Sequence, residues 1–305
     1  MPSRLPPQPA PQEVHSWILA FESTNHKSDM KAWINAHPLL PIGSTLAYLA
    51  FVFVGPKVMS PAKAFDLRSP LVAWNTLLSL FSLAGVVRMT CFLWYAYWNP
   101  ISLFTSSPAS LTPFARIENL ICTTNADDVT AFWGLMFTLS KIAELGDTVW
   151  LVLRKRRIIF LHWYHHTTVL LFTWFSAAEE SPLGAIFAFV NYFVHSLMYA
   201  YFAVTVSQVW RPPRLLAMAI TGLQITQMLV GLTCLAIHFA AVARGIPCAT
   251  SNFVTIGGLL IYASYFALFV RFFVKAYLTK QRALRRLSSS PPSVTPFKEG
   301  SKKLA

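Results

Sequence analysis

Long apolar stretches alternate with short polar ones along most of the chain, and the length of the apolar stretches decides what they predict. A bilayer core of ~30 Å needs about 20 apolar residues at a rise of 1.5 Å each. Seven stretches approach or exceed that length: 39–55, 71–98, 129–153, 158–176, 183–208, 213–242 and 253–279. The pattern therefore predicts an all-α polytopic membrane protein with seven transmembrane helices. The fourth stretch is short and holds three His. Residues 1–38 are polar and Pro-rich, and their apolar run from Trp17 to Phe21 is too short for a signal-peptide core. The tail from Arg282 is basic, rich in Ser and Pro, and predicted to be disordered. Three regions result: an N-terminal segment over 1–38, a membrane domain over 39–281 and a cytosolic tail over 282–305. Nothing repeats at a solenoid period.

Composition removes the soluble alternatives. Of 305 residues, 55% are hydrophobic and 12% charged, where an ordinary globular chain carries about 25% charge. So few charges cannot coat a soluble particle of this size. A secreted disulfide scaffold is excluded too, because the four Cys (Cys91, Cys122, Cys234, Cys248) show no metal or redox spacing. The net charge of +13 would suit nucleic acid, but its placement points to a membrane surface instead. With seven spans, the loops at Lys57–Arg68, Arg154–Arg157 and Arg211–Arg214 share one side with the C-terminus. That side holds 18 of the 25 basic residues. It is predicted to be cytosolic, with the N-terminus on the opposite side. Lys27 and Lys31 run against this trend locally.

Ionisable residues inside a span are costly and point to function. The third span carries Lys141, Glu144 and Asp147 at intervals of three, which places them on one helical side facing inward. They suit either a site or an ion pair joining helices. The fourth span reads His162-Trp163-Tyr164-His165-His166. Its three His fall at i, i+3 and i+4, a single face suited to metal ligation or to nucleophile and base chemistry. In the fifth span Asn191 and His195 are one turn apart and precede Met198-Tyr199-Ala200-Tyr201. The sixth repeats Thr221, Gln224 and Gln227 every three residues, a pattern that also serves interhelical hydrogen bonding. His238 is isolated, and His15, His26 and His37 lie in the N-terminal segment.

Four blocks in this order resemble the fatty acid elongase family: Lys141-x-x-Glu144-x-x-Asp147-Thr148, His162-x-x-His165-His166, Asn191-x-x-x-His195-x-x-Met198-Tyr199 and Thr221-x-x-Gln224-x-x-Gln227. The resemblance covers about residues 35–280. One departure is Phe202, where the family often has a second adjacent Tyr. The resemblance implies seven transmembrane helices around a buried catalytic tunnel. It also implies the condensation of a long-chain acyl-CoA with malonyl-CoA, with loss of carbon dioxide, to a 3-oxoacyl-CoA two carbons longer. The CoA thioesters are substrates, and no cofactor or metal is implied. None of the four Cys falls in the polar blocks, which disfavours a thiolate acceptor; the resemblance implies that His165 accepts the acyl group, opposed by His195. His162 and His166 would orient the imidazoles, and Asp147, Asn191 and Gln224 would supply hydrogen bonds. Lys141, Glu144, Tyr199, Thr221 and Gln227 join the expected substrate-binding set. Arg154 and Arg157 join it as phosphate ligands or serve only as positive-inside anchors.

The end of the chain, Lys302-Lys303-Leu304-Ala305, resembles a di-lysine retrieval signal of endoplasmic-reticulum membrane proteins. The partners implied are the bilayer and the 3-oxoacyl-CoA reductase, dehydratase and enoyl reductase of the cycle; a homo-oligomer is open, and nucleic acid is not expected. Arg157 and His162-Trp163-Tyr164 resemble the branch acting on saturated and monounsaturated chains of roughly 12 to 18 carbons, rather than on polyunsaturated ones. The rival readings are a di-iron desaturase or hydroxylase, which needs more His boxes than this chain has, and a seven-helix receptor or transporter, which leaves the His cluster unexplained.

Overall fold

The computed structural model describes residues 11–22, 26–100, 111–123 and 126–279. Its long helices are apolar outside and polar inside. Helix α3 (Leu39–Val58) buries Thr45, Tyr48 and Gly55 while Leu46, Phe53 and Val58 are exposed. Helix α4 (Arg68–Trp98) buries Asn75, Ser82, Gly85 and Arg88 and exposes Leu77, Leu80 and Leu83. Such an inversion suits hydrocarbon surroundings, where polar groups must find partners within the bundle.

Helices α3, α4, α9 (Pro182–Ser207), α10 (Arg214–Ala243) and α11 (Asn252–Phe273), the last continued by a π turn to Thr279, are long and apolar enough to cross a membrane. The stretch predicted as one span over 129–153 is instead two helices, α6 (Asp128–Ala143) and α7 (Gly146–Leu153). Between them the N–H groups of Leu145, Asp147 and Thr148 bond to carbonyls three residues back, at 3.2, 3.0 and 3.1 Å. That tightens the turn, so neither piece reaches spanning length alone. Helix α8 (Phe160–Ala178) lies where the fourth span was predicted, but its three imidazoles lower its hydropathy below that of the five helices apolar enough to cross. No strand occurs among the described residues.

Helices α4 and α9 form the most extensive seam. A Cβ on Gly85 would stand 2.6 Å from the Tyr192 ring, so only glycine admits the ring there. The Tyr192 hydroxyl donates to the Trp133 carbonyl at 3.0 Å, tying α9 to α6 as well.

The polar, Pro-rich N-terminal segment contains helices. Helix α1 (Pro11–Val14), a 3-10 turn at Ala20–Glu22 and helix α2 (His26–Ala36) pack onto the end of the bundle where α6 begins. Glu22 is fully buried and accepts from Arg88 Nε at 2.8 Å and Trp133 Nε1 at 2.7 Å. Burial alone would raise its carboxyl pKa. Hydrogen bonds from Trp133, the Leu19 N–H and Arg88 outweigh that and hold it below the ordinary value. The Arg88 guanidinium also lies 3.7 Å above the Trp17 ring.

The cysteines are not all unpaired. Cys122, near the end of helix α5 (Pro113–Thr123), forms a disulfide with Cys248 in the α10–α11 connection. His238 is not isolated either: a ring nitrogen lies within 4.8 Å of both sulfurs, which are bonded to each other. The tail with Lys302 and Lys303 lies outside the described residues.

Candidate active site

The first turns of α8 set the three box imidazoles on one face, as the spacing predicts. Ring centroids of His162 and His166 are 4.6 Å apart, and those of His165 and His166 are 5.3 Å apart. Thr148 Oγ1 sits 2.8 Å from His162 Nε2 and 2.9 Å from the Tyr48 hydroxyl, which links α7, α8 and α3. His166 is buried, and its Nδ1 has no partner among the described residues. His165 differs from both. Its backbone carbonyl accepts from the Tyr265 hydroxyl at 3.2 Å and its ring lies 5.0 Å from that of Tyr265. Neither of its ring nitrogens is engaged in a hydrogen bond among the described residues, and the ring lines a cavity of about 540 Å³.

Helix α9 brings Asn191 and His195 to the same cavity. Both are set from behind by a buried ion pair. Lys141 Nζ donates to Glu144 Oε1 at 2.7 Å and to Asn191 Oδ1 at 2.8 Å, and His195 Nδ1 lies 3.5 Å from the same Glu144 oxygen. Lys141 and Glu144 are 2% and 3% exposed. Beyond the α6–α7 turn Asp147 has other partners: Trp74 Nε1 donates to it at 2.7 Å and the Tyr199 hydroxyl at 2.8 Å. On α10, Gln224 Nε2 reaches Met198 Sδ at 3.2 Å and Thr221 Oγ1 lies 3.3 Å from the Tyr277 hydroxyl.

The cavity gathers nearly every residue singled out in the sequence. His162, His165, His166, His195, Asp147, Asn191 and Gln224 all line it. So do Arg154, Tyr199, Thr221 and Gln227. Lys141 and Glu144 stand behind its wall, and Arg157 is exposed on the α7–α8 turn away from it. No cysteine lines it. Sequence reasoning missed Tyr48, Trp74, Tyr265 and Tyr277, since an aromatic ring in an apolar span carries no signal of its own. Asn75, an amide within the second predicted span that also lines the cavity, did carry one. One turn farther along α9, a narrower cavity of about 130 Å³ opens between α6, α8 and α9.

Membrane-length helices around a cavity lined by His and amides define a multi-pass membrane protein. Residues 33–285 match the model of the GNS1/SUR4 (ELO) family, and the chain belongs to that family. It is 35% identical over 290 residues to very long chain fatty acid elongase 6 of Drosophila melanogaster, covering 94% of this chain and 88% of that one. It is 36% identical over 269 residues to very long chain fatty acid elongase 6 of Gallus gallus, covering 88% of this chain and 95% of the other. With very long chain fatty acid elongase 3 of Mus musculus it shares 36% identity over 251 residues, 82% of this chain and 87% of the other. The family resemblance read from the four blocks is thereby established.

Proposed function

We propose that this protein elongates fatty acids as the condensing enzyme, joining an acyl-CoA to malonyl-CoA through an acyl-histidine at His165. The observation that carries this reading is the His165 ring, which lines the cavity with neither nitrogen hydrogen-bonded among the described residues. His162 is held by Thr148, His195 faces Glu144, and His166 is buried. His165 attacks the thioester carbonyl; a C–N bond forms, the C–S bond breaks, and the imidazole proton leaves with the CoA thiolate as CoA-SH. Malonyl-CoA then loses carbon dioxide. The electron pair left on its methylene carbon forms the new C–C bond to the acyl carbon, the C–N bond breaks, and the imidazole regains a proton. The net reaction consumes one proton. Asn191 and Gln224 hold the thioester oxygens where charge develops. Tyr199 and Trp74 fix Asp147, and Arg154 at the cavity wall meets CoA phosphate.

In this reading α6 with α7 and α8 complete seven crossings around an acyl tunnel. The basic ends face the cytosol, and Lys302 and Lys303 keep the protein in the endoplasmic reticulum beside the reductase, dehydratase and enoyl reductase. Membranes expressing the chain, fed a ladder of acyl-CoAs with labelled malonyl-CoA, test the activity: saturated and monounsaturated chains should yield labelled 3-oxoacyl products. No product from any chain would refute condensation, and a preference for polyunsaturated chains would refute the substrate branch alone. Serine at positions 302 and 303 should let protein escape to the Golgi; unchanged residence would place retention elsewhere.

A further inference from the structure

The narrow cavity lies farther along the same two helices than the site cavity. On α9, Asn191 lines the first and Ala188, one turn away, lines the second. On α8 the order runs from His165 to Phe172 and Ser176. Phe137, Phe172 and Phe187 make its wall largely apolar. Eleven residues separate His165 from Ser176 on α8 and His195 from Gly184 on α9. At 1.5 Å per residue that is about 16 Å. An extended acyl chain at ~1.3 Å per carbon covers the distance with roughly a dozen carbons. A volume of about 130 Å³ is close to the ~150 Å³ cavities that admit a benzene ring, so it holds only the last few carbons.

The far end is formed in part by a residue that does not belong to the family-matched region. That region begins at residue 33, whereas Met30 of α2 lines the cavity. Met30 is 8% exposed and packs with Ile34, Ala131 and Trp174, at the level of the first turn of α6. The next residue, Lys31, reaches across to Glu180, which lines the same cavity, with Nζ 2.8 Å from Oε2. Lys31 is half exposed, so that ion pair orients the helix more than it stabilises it. The thioether side chain is what occupies space where a longer acyl chain would continue.

Building on the condensing-enzyme reading, we propose that Met30 on the N-terminal helix α2 is a specificity-determining residue, the stop against which the methyl end of the acyl chain rests. Met30→Ala removes three heavy atoms, room for about one two-carbon elongation unit. A methylene in a fitted apolar pocket discriminates roughly 10- to 200-fold. Saturated acyl-CoAs stepped by two carbons, with labelled malonyl-CoA, are assayed in membranes carrying the full chain or its Met30→Ala, Met30→Trp and Met30→Leu variants. Met30→Ala should raise turnover of the first length rejected by the wild type about tenfold or more relative to short chains. Met30→Trp should lower the limit by at least one step, and Met30→Leu should keep the wild-type limit. All three should retain turnover of chains too short to touch position 30. An unchanged limit in both Ala and Trp variants would overturn the proposal, as would equal loss at all lengths, which marks a structural residue. If the wild type condenses no chain of any length, the elongase reading itself has failed, a result distinct from either.

Discussion

Glu144→Gln removes one charge from the wall behind the imidazoles and keeps its shape. Lys141 would then be an ammonium 2% exposed, left with the Asn191 oxygen at 2.8 Å and a neutral amide. Breaking a buried ion pair by removing one partner costs about 3–5 kcal/mol. The Phe137 ring, 4.3 Å from Lys141 Nζ, makes its cation–π contact in both proteins and so does not change the difference. A loss of about 3–5 kcal/mol is expected. His195 also loses the carboxylate near its Nδ1, and turnover should fall by the ~10²–10⁴-fold that a positioned acid–base group supplies. The double variant Lys141→Met with Glu144→Leu separates the two effects. Removing both charges at similar volume is often neutral for stability, so the folded state should recover while turnover stays low. Thermal unfolding in detergent, read beside condensation rates in the same preparations, decides the matter. A Glu144→Gln protein as stable as the wild type, or a double variant with near-normal turnover, would refute this account of the pair.

Serine in place of Cys122 and Cys248 opens a link across 126 residues and should cost about 3–5 kcal/mol; equal melting with and without reductant would contradict it. Glu22 has a folded-state pKa below its ordinary value, so its contribution is present in full at neutral pH. That contribution fades as pH falls through the depressed value. Glu22→Gln should therefore be less stable at neutral pH and lose less stability on acidification. Parallel acid profiles for the two proteins would sink the argument.

Spans were legible because their signal is local. The apolar run at 183–208 became α9 at Pro182–Ser207, and the i, i+3, i+4 spacing brought three imidazoles to one face of α8. The α6–α7 break was not legible. No proline marks it, and Gly146 at the junction did not by itself interrupt the stretch read as one span over 129–153. Lys141 and Glu144 consequently pair with each other while Asp147, beyond the turn, pairs with Trp74 and Tyr199. Long-range partners were out of reach as well. Tyr48 and Thr148 are 100 residues apart, as are Tyr265 and His165, and nothing in either local pattern names the other. The composition of the N-terminal segment did not reveal its packing. Its polar residues find partners inside the bundle, where Glu22 meets Arg88 and Trp133.

The claim that His165 carries the acyl group is tested most directly without malonyl-CoA. Purified protein mixed with a long-chain acyl-CoA should release CoA in a single burst equal to the amount of enzyme. Mass spectrometry should then find the acyl mass on the peptide containing His165, and adding malonyl-CoA should discharge it as the 3-oxoacyl product. His165→Ala should show neither burst nor adduct while inserting normally into membranes. A burst with the acyl group on another residue, or condensation by His165→Ala at a near-normal rate, would contradict the account.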